Sequence, residues 1–354
     1  MKLSDDKILQ SDLDSIIKND SIDWNMLKNK TVLVTGATGL IGSQIVMTLL
    51  NASAEKELNI TVLAAVRNKE KAEKIFKYAN AESLNYIVQD IIEPFSVDSS
   101  IDYIVHGASM TGSKDFVDFP VETIKTALQG TENILNLAKE KNVKGMIYLS
   151  SLEIYGVVDF GIEKVTEDMS GTIDSMSVRS SYSEGKRMVE CLCAAYASEY
   201  NIPIKVARLC QTFGPGVSYK DNRVFAQFAR SIIEGSDIVL KTDGSTERNY
   251  CYIRDAISGI LTVMLKGSSG EAYNIANKDT LITIRGMAEM LIKMYPQSGS
   301  SLRFDIAEDI TKLGYNPKVK MNLDTSKLEA LGWSAEVGLD EMFDHLIKSM
   351  QFNK

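Results

Sequence analysis

A tyrosine and a lysine stand four residues apart in Tyr182-Ser-Glu-Gly-Lys186, a spacing that places both side chains on one face of a helix. The positive charge of the lysine favours the phenolate, so the pair predicts a tyrosine of lowered pKa that takes a proton near neutral pH. A strand-like run that ends in two hydroxyls, Tyr148-Leu-Ser-Ser151, precedes the pair. Ser151, Tyr182 and Lys186 therefore predict a catalytic set with a phenol as its base.

A glycine-rich turn lies earlier in the chain, at Thr35-Gly-Ala-Thr-Gly-Leu-Ile-Gly42, between an apolar run and a helix-like stretch. Glycines permit a tight turn and a close approach of backbone N–H groups to a pyrophosphate, and the helix N-terminus adds its positive dipole end. In this strand–turn–helix context the motif predicts dinucleotide binding. The residues expected to contact the dinucleotide here are Gly36, Thr38, Gly39, Leu40, Ile41 and Gly42.

The end of the second strand bears on the choice between NAD and NADP. An acidic residue about 20 positions past the glycines would accept a hydrogen bond from an unphosphorylated ribose. The strand instead ends in Val66-Arg67-Asn68, without a carboxylate. Arg67 could pair with a ribose 2′-phosphate, which favours NADP slightly, and both cofactors remain open.

Alternating strands and helices must position these groups. Short apolar runs and amphipathic stretches follow one another from residue 31 to residue 208, which predicts a parallel sheet covered on both faces. Ligands of such sheets bind at the carboxyl ends of the strands. The predicted strands are Thr31–Thr35, Ile60–Val66, Tyr86–Gln89, Tyr103–His106, Gly145–Leu149 and Ile204–Arg208; the predicted helices are Leu40–Leu50, Lys69–Tyr78, Val121–Lys141, Tyr182–Tyr200, Arg223–Glu234 and Asp255–Lys266.

The fold class expected from this pattern is α/β, a Rossmann-type doubly wound parallel sheet with a smaller C-terminal α/β substrate lobe. Residues 1–29 are predicted to form a helical N-terminal extension. Residues 30–207, with about 240–268, are assigned to the dinucleotide-binding domain, and residues 208–239 and 269–354 to the substrate-binding lobe.

Composition excludes several classes of function. The 354 residues carry a formal net charge of −8, which argues against a nucleic-acid or membrane-surface partner. Four cysteines without a Cys-x-x-Cys pair and two histidines make a metal site unexpected. Neither a signal peptide nor a long apolar run is present, so a cytoplasmic protein is expected.

Taken together, the motifs resemble the extended short-chain dehydrogenase/reductases, in particular the NAD-dependent epimerase/dehydratase family of nucleotide-sugar epimerases, dehydratases and UDP-glucuronate decarboxylases. The Gly-x-x-Gly-x-x-Gly spacing, Ser151-x-x-Ile-Tyr-Gly156 and Arg208-x-x-Gln-x-Phe-Gly-Pro215 carry the resemblance, which covers nearly all of the chain after residue 30. It implies NAD or NADP as the cofactor and a nucleotide-diphosphate sugar, a UDP-sugar being favoured, as the substrate. It also implies a homodimer formed through a four-helix contact.

The resemblance implies roles for individual residues. Ser151 would bond the reacting sugar oxygen, Tyr182 would take its proton, and Lys186 would hold the cofactor ribose and tune the tyrosine. Asp90 and the adjoining Ile91 would lie at the adenine. The remaining implied contacts are Gly107, Ala108 and Ser109 near the nicotinamide, and Thr111, Ser151, Gln211, Arg223, Val224 and Arg248 at the substrate.

Glu153 is a further candidate catalytic residue and bears on the reaction, since strand geometry would send it to the same side as Ser151. A glutamate there resembles dehydratases and UDP-glucuronate decarboxylases, but Leu152 stands where the dehydratases carry an acid. A nucleotide-sugar epimerase acting through a transient keto-sugar is therefore favoured, with a decarboxylase-like enzyme as the alternative and a reductase or dehydratase behind it. A non-catalytic dinucleotide sensor would have no need of Ser151, Tyr182 and Lys186.

Overall fold

The computed structural model describes residues 1–306 and 318–354, in which strands and helices alternate along most of the chain. The strands are β1 (Thr31–Thr35), β2 (Thr61–Val66), β3 (Leu84–Val88), β4 (Tyr103–His106), β5 (Gly145–Ser151), β6 (Ile204–Leu209), β7 (Gln211–Phe213), β8 (Ile238–Leu240), β9 (Glu247–Tyr252), β10 (Ala272–Ile275), β11 (Asn277–Thr283), β12 (Leu302–Phe304) and β13 (Lys320–Met321). The helices are α1 (Lys7–Ile16), α2 (Leu40–Glu55), α3 (Lys69–Ile75), α4 (Asp115–Asp118), α5 (Pro120–Glu140), α6 (Ser181–Tyr200), α7 (Val224–Glu234), α8 (Ile253–Lys266), α9 (Ile284–Met294), α10 (Ser326–Glu329) and α11 (Leu339–Phe352).

The main sheet is parallel and, within the described residues, has seven strands in the order β10-β6-β5-β4-β1-β2-β3. The chain moves outward in one direction from β1 to β3 and in the other direction from β4 onward. This reversal makes a crevice at the carboxyl ends of β1 and β4, where ligands of doubly wound sheets bind. The predicted α/β fold class is confirmed.

Alternate residues of the central strands enter two separate cores, because successive side chains point to opposite faces of a sheet. Val32 and Val34 of β1 join the core that contains Ile45 of α2. Leu33, between them, joins the other core, with Ile134 of α5 and Val189 of α6. Helices therefore cover both faces, and the apolar runs have no polar alternation for this reason.

A smaller sheet follows the main one in the chain, with β9 paired to β7, β11 and β13. The main sheet also takes its edge strand, β10, from residues after 268, beyond the predicted boundary of the dinucleotide-binding domain. The division into domains stays a prediction. No helix within residues 1–306 and 318–354 is long and apolar enough to span a bilayer.

The N-terminal extension contains the expected helix, α1, whose buried residues include Leu9, Leu13 and Ile16. A buried hydroxyl pair attaches the extension to α8, since Ser21 Oγ lies 2.8 Å from Thr262 Oγ1. The Tyr252 hydroxyl also donates to Asp12 of α1, at 2.6 Å. The extension is thus a packed part of the fold.

Candidate active site

A large cleft, with a volume of about 1840 Å³, opens at the carboxyl ends of the strands. It brings together groups that are far apart in the chain: the glycine-rich turn, the ends of β2 to β5 and the start of α6. All the predicted cofactor residues line it, namely Gly36, Thr38, Gly39, Leu40, Ile41, Gly42, Arg67, Asp90, Ile91, Gly107, Ala108, Ser109, Tyr182 and Lys186. Their contacts with a dinucleotide stay a prediction.

The backbone of the glycine-rich turn leaves no room for side chains at two positions. Gly36 has φ +69°, and a Cβ there would lie 2.8 Å from Ala108 N. A Cβ on Gly42 would collide with the backbone oxygen of Gly36. The turn therefore brings the first amides of α2, a helix of 16 residues, to the floor of the cleft. Such a bare helix N-terminus fits the pyrophosphate of a dinucleotide.

Ser151, Tyr182 and Lys186 meet at the end of β5. Ser151 is the last residue of β5 and lines the cleft together with Tyr182. Lys186 lies one helical turn after Tyr182, and its Nζ donates to the Leu149 carbonyl at 2.7 Å. The same Nζ lies 5.7 Å from the centre of the Tyr182 ring. The structure thus assembles the predicted set, whose catalytic roles remain a proposal.

Burial shifts the pKa of both ionisable groups in this set toward the neutral form. It lowers the pKa of Lys186 to about 8, against an opposing contribution from Glu190. It raises the pKa of Tyr182, with a further contribution from the charge of Glu153. The lowered pKa expected for Tyr182 is therefore wrong for this structure, because desolvation of the phenolate outweighs nearby positive charge.

Glu153 lies in the site, but it is not carried there by a strand, contrary to the prediction from the sequence. Residues Leu152–Tyr155 form a 3₁₀ turn after β5, so the alternation of a strand does not apply to Glu153. Its carboxylate pairs with Arg179 at 3.0 Å and accepts from Ser183 at 3.1 Å. The Glu153 and Arg179 side chains are only 11% and 13% exposed. Glu153 is thus a charge-balanced group beside Tyr182.

Two residues of the site escaped prediction. Phe116 of α4 stacks on the Tyr182 ring with centroids 4.2 Å apart. The Arg179 guanidinium lies 4.8 Å from the centre of the Phe116 ring. Arg179 stands three residues before Tyr182, and this nearness in the sequence was the available signal. Nothing local in the sequence marks Phe116.

His106, at the end of β4, supports the loop that follows it. Its Nδ1 lies 2.7 Å from Thr35 Oγ1 and its Nε2 lies 3.0 Å from Thr131 Oγ1, all of them buried. Thr35 Oγ1 also accepts from the amide of Ala108. The imidazole therefore links β1, α5 and the loop at Gly107–Ser109, as a structural group with no free nitrogen for proton transfer.

We expect the His106 ring to stay neutral across the physiological pH range, because burial lowers its pKa to about 3. An unfolded chain would titrate this group at about 6.5. The contribution of His106 to stability is therefore full above about pH 6.5 and is lost as the pH falls toward 3. Because the chain has two histidines, NMR can follow each ring separately. A His106 signal that titrates near pH 6 would contradict this prediction.

The residues predicted to contact the substrate divide into two groups. Thr111, Gln211 and Arg223 line the cleft, and Arg223 also pairs with Asp221 at 2.6 Å. Val224 and Arg248 do not line it. Val224 begins α7, directly behind Arg223, and Arg248 stands within β9, paired with Ile282 and Met321. Contacts of these two side chains with a substrate stay a prediction.

Comparison with known proteins places the chain in a family. Residues 32–276 match the NAD dependent epimerase/dehydratase family. UDP-glucuronic acid decarboxylase 6 of Arabidopsis thaliana is 30% identical over 304 residues, which cover 83% of this chain and 86% of the relative. UDP-glucuronic acid decarboxylase 1 of Xenopus tropicalis is 28% identical over 313 residues, covering 88% of this chain and 70% of the relative.

Solved structures share the fold. A UDP-glucuronic acid 4-epimerase from Bacillus cereus, in complex with UDP-glucuronic acid and NAD, has a TM-score of 0.76 at 23% identity and covers 92% of this chain and 100% of its own. A dTDP-glucose 4,6-dehydratase from Streptomyces venezuelae has a TM-score of 0.75 at 23% identity, covering 91% of this chain and 97% of its own. The expectation of a nicotinamide dinucleotide cofactor is confirmed at the level of the family, and the chain belongs to the NAD dependent epimerase/dehydratase family of enzymes.

Proposed function

We propose that the protein is a nucleotide-sugar epimerase that oxidises its substrate to a transient keto-sugar and then reduces it on the other face. The observation that carries the proposal is that Ser151, Tyr182 and Lys186 line one cleft at the end of β5, with Lys186 one helical turn after Tyr182. A UDP-sugar is the favoured substrate. Arg223, which lines the same cleft, supports a nucleotide-diphosphate sugar because a guanidinium matches the oxygens of a diphosphate.

The side chains divide the chemistry between them. Ser151 bonds the sugar oxygen that reacts, and Tyr182 takes the proton from this oxygen and later returns one. Lys186 holds the cofactor ribose and supplies positive charge next to the phenol. A bound dinucleotide would supply the hydride acceptor, held at its pyrophosphate by the turn at Gly36–Gly42. The protein thereby contributes positioning and electrostatics.

A dehydratase is disfavoured by the residue next to Ser151. Elimination of water needs an acid that protonates the leaving hydroxyl. Leu152 stands at the position where the dehydratases carry this acid. Its side chain lines the cleft and has no proton that it could transfer. Epimerisation needs no such acid, since the substrate loses and regains a hydride at one carbon.

A decarboxylase is the second candidate, favoured by Glu153 beside Tyr182 and by the names of the curated relatives. Oxidation of a uronate at C4 places a ketone β to the carboxylate, which makes loss of carbon dioxide easy. Whether the sugar carboxylate is lost or retained then depends on the charged side chains around it. Arg179 balances Glu153, so this glutamate does not repel a sugar carboxylate as a free charge would. The product that forms therefore distinguishes the two candidates.

The experiment that tests the proposal is proton NMR of the protein with UDP-glucuronate and NAD or NADP. A new hexuronate anomeric signal without release of carbon dioxide would support the epimerase. A pentose signal would support the decarboxylase instead. If the sugar stays unchanged with either cofactor, the uronate substrate is wrong, and neutral or deoxy nucleotide sugars are the next to test.

We further propose that Arg67 favours NADP over NAD. Its side chain lines the cleft, is 82% exposed and lies 4.0 Å from Asp90, so it is held only weakly. Hydrogen bonds to a charged group contribute about 1.5–3 kcal/mol. Arg67→Ala should therefore weaken NADPH binding about tenfold or more and leave NADH binding nearly unchanged, as measured by fluorescence titration. Equal losses for both dinucleotides would contradict a contact with the 2′-phosphate.

We also propose a homodimer built on α5 and α6. Val121 and Ile124 of α5 and Met188 of α6 are exposed apolar side chains. The two helices pack against each other, so a second copy of the pair would complete a four-helix contact. A molar mass of one chain by light scattering would refute this assembly.

A further inference from the structure

The first residues of the chain lie beside the cleft. We call residues 1–9 the N-terminal strap. Leu3 to Asp6 and Leu9 line the cleft, together with Met47 of α2 and Ile75 of α3. Leu3 and Leu9 are only 4% and 8% exposed, so the strap is packed in place. The family match begins at residue 32, and the strap therefore adds a wall that the matched region does not contain.

Asp5 attaches the strap to the residues that follow α3. Its carboxylate lies 2.8 Å from Lys77 Nζ and accepts from the Tyr78 hydroxyl at 2.6 Å. Lys2 Nζ lies 2.9 Å from the same carboxylate. The hydrogen bonds from Lys77 and Tyr78 lower the pKa of Asp5, so the group is charged at neutral pH. These contacts join the strap to the side of the cleft formed by β2 and α3.

That side is where the adenosine half of a dinucleotide belongs. Tyr182 and Lys186 lie after β5, on one side of the turn that follows β1, whereas β2 and α3 lie on the other side. A dinucleotide bound to a doubly wound sheet spans the crevice with its pyrophosphate at the first helix. With the reacting ring at Tyr182, the adenosine extends toward α3 and the strap.

A second set of contacts connects the strap to the loop that contains Pro215 and Gly216. Asp6 caps α1 and also accepts from Ser349 of α11, whose hydroxyl accepts from the amide of Gly216. Next to Gly216, the Pro215 carbonyl accepts from Gln44 of α2 at 2.7 Å. The strap thus supports a loop that lies against the helix of the glycine-rich turn.

We infer that the N-terminal strap is part of the cofactor site, where it walls the adenosine end of the cleft and slows release of the dinucleotide, with Asp5 holding it against Lys77 and Tyr78. The inference rests on the proposed function for the position of the dinucleotide. Slow release suits that function, because an enzyme that returns the hydride to the same sugar has no need to exchange its cofactor in each cycle.

The test is the rate at which the protein releases NADH and NADPH, followed by fluorescence after mixing with excess ADP-ribose. Asp5→Ala should accelerate release about fivefold, the size expected for loss of exposed charged contacts. Tyr78→Phe should act in the same direction. The double variant should release the dinucleotide no faster than Asp5→Ala, since the two residues form one contact.

Ser21→Ala is the matched control, because it removes the contact with Thr262 of α8, and neither residue lines the cleft. Its release rate should equal that of the wild type. Wild-type rates in both Asp5→Ala and Tyr78→Phe would overturn the inference while the wild-type protein still binds dinucleotide. Equal acceleration by Ser21→Ala would also overturn it, by showing a general loosening of the fold. Failure of the wild type to bind either dinucleotide would instead refute the proposed function.

Discussion

Tyr182→Phe is expected to lower the turnover number by about 10³-fold, since general acid–base catalysis contributes roughly 10²–10⁴-fold. The variant loses the Tyr182 hydroxyl, which is the proposed proton acceptor in the cleft. Its ring can still stack on Phe116 at 4.2 Å, so the helix start should keep its place. Product formation is measured by NMR, and dinucleotide affinity, which should be retained, by fluorescence.

Tyr196→Phe on the same helix is the control for this substitution. The Tyr196 hydroxyl donates to Asn136 of α5 at 2.9 Å and does not line the cleft. Its removal should leave turnover at the wild-type level. Turnover by Tyr182→Phe above about a tenth of the wild-type value would refute the proposed mechanism, because the phenol would then not be the main proton acceptor.

Glu190→Ala is expected to lower the free energy of unfolding by about 3–5 kcal/mol, the cost of leaving one partner of a buried ion pair uncompensated. Glu190 Oε2 lies 2.7 Å from the Arg208 guanidinium, and the two side chains are 11% and 12% exposed. Glu190 also accepts from Ser150, which adjoins Ser151. Arg208 in turn donates to the Tyr155 hydroxyl at 2.9 Å. Denaturant unfolding measures the loss.

Two further sets of variants distinguish the contribution of the ion pair to stability from that of helix α6. Glu199→Ala, at an exposed position of α6, should change stability by less than about 0.5 kcal/mol. Replacing both Glu190 and Arg208 with methionine should cost less than the sum of the single changes, because no charge is then left buried. A loss below about 1 kcal/mol in Glu190→Ala would show that the pair is not strongly coupled to folding.

Glu190 also connects stability with the chemistry of the site. Its charge raises the pKa of Lys186, against the burial that brings this pKa down to about 8. Without Glu190 the pKa of Lys186 falls further, so the lysine loses its charge at a lower pH. The alkaline limit of activity should therefore move to lower pH in Glu190→Gln, whose amide keeps the volume but removes the charge. If the alkaline limit of activity does not move, the charge of Glu190 does not control the pKa of Lys186.

The sequence by itself determined the features that depend on neighbours along the chain. β1 and β4 have the predicted bounds, since apolar runs bordered by turn residues identify buried strands. The glycine-rich turn was predictable because the conformation at Gly36 and the close contact at Gly42 concern residues within one turn. Tyr182 and Lys186 were predictable as a pair because four residues correspond to about one turn of a helix.

The tertiary structure alone decided which distant groups meet. Arg179 neutralises Glu153 across 26 positions, and Glu190 holds Arg208 across 18, and no spacing rule relates such pairs. The raised pKa of Tyr182 follows from burial, which depends on the packing of several elements at once. The strap meets the cleft for the same reason: Asp5 contacts Tyr78 across 73 positions, through the fold and not through local pattern.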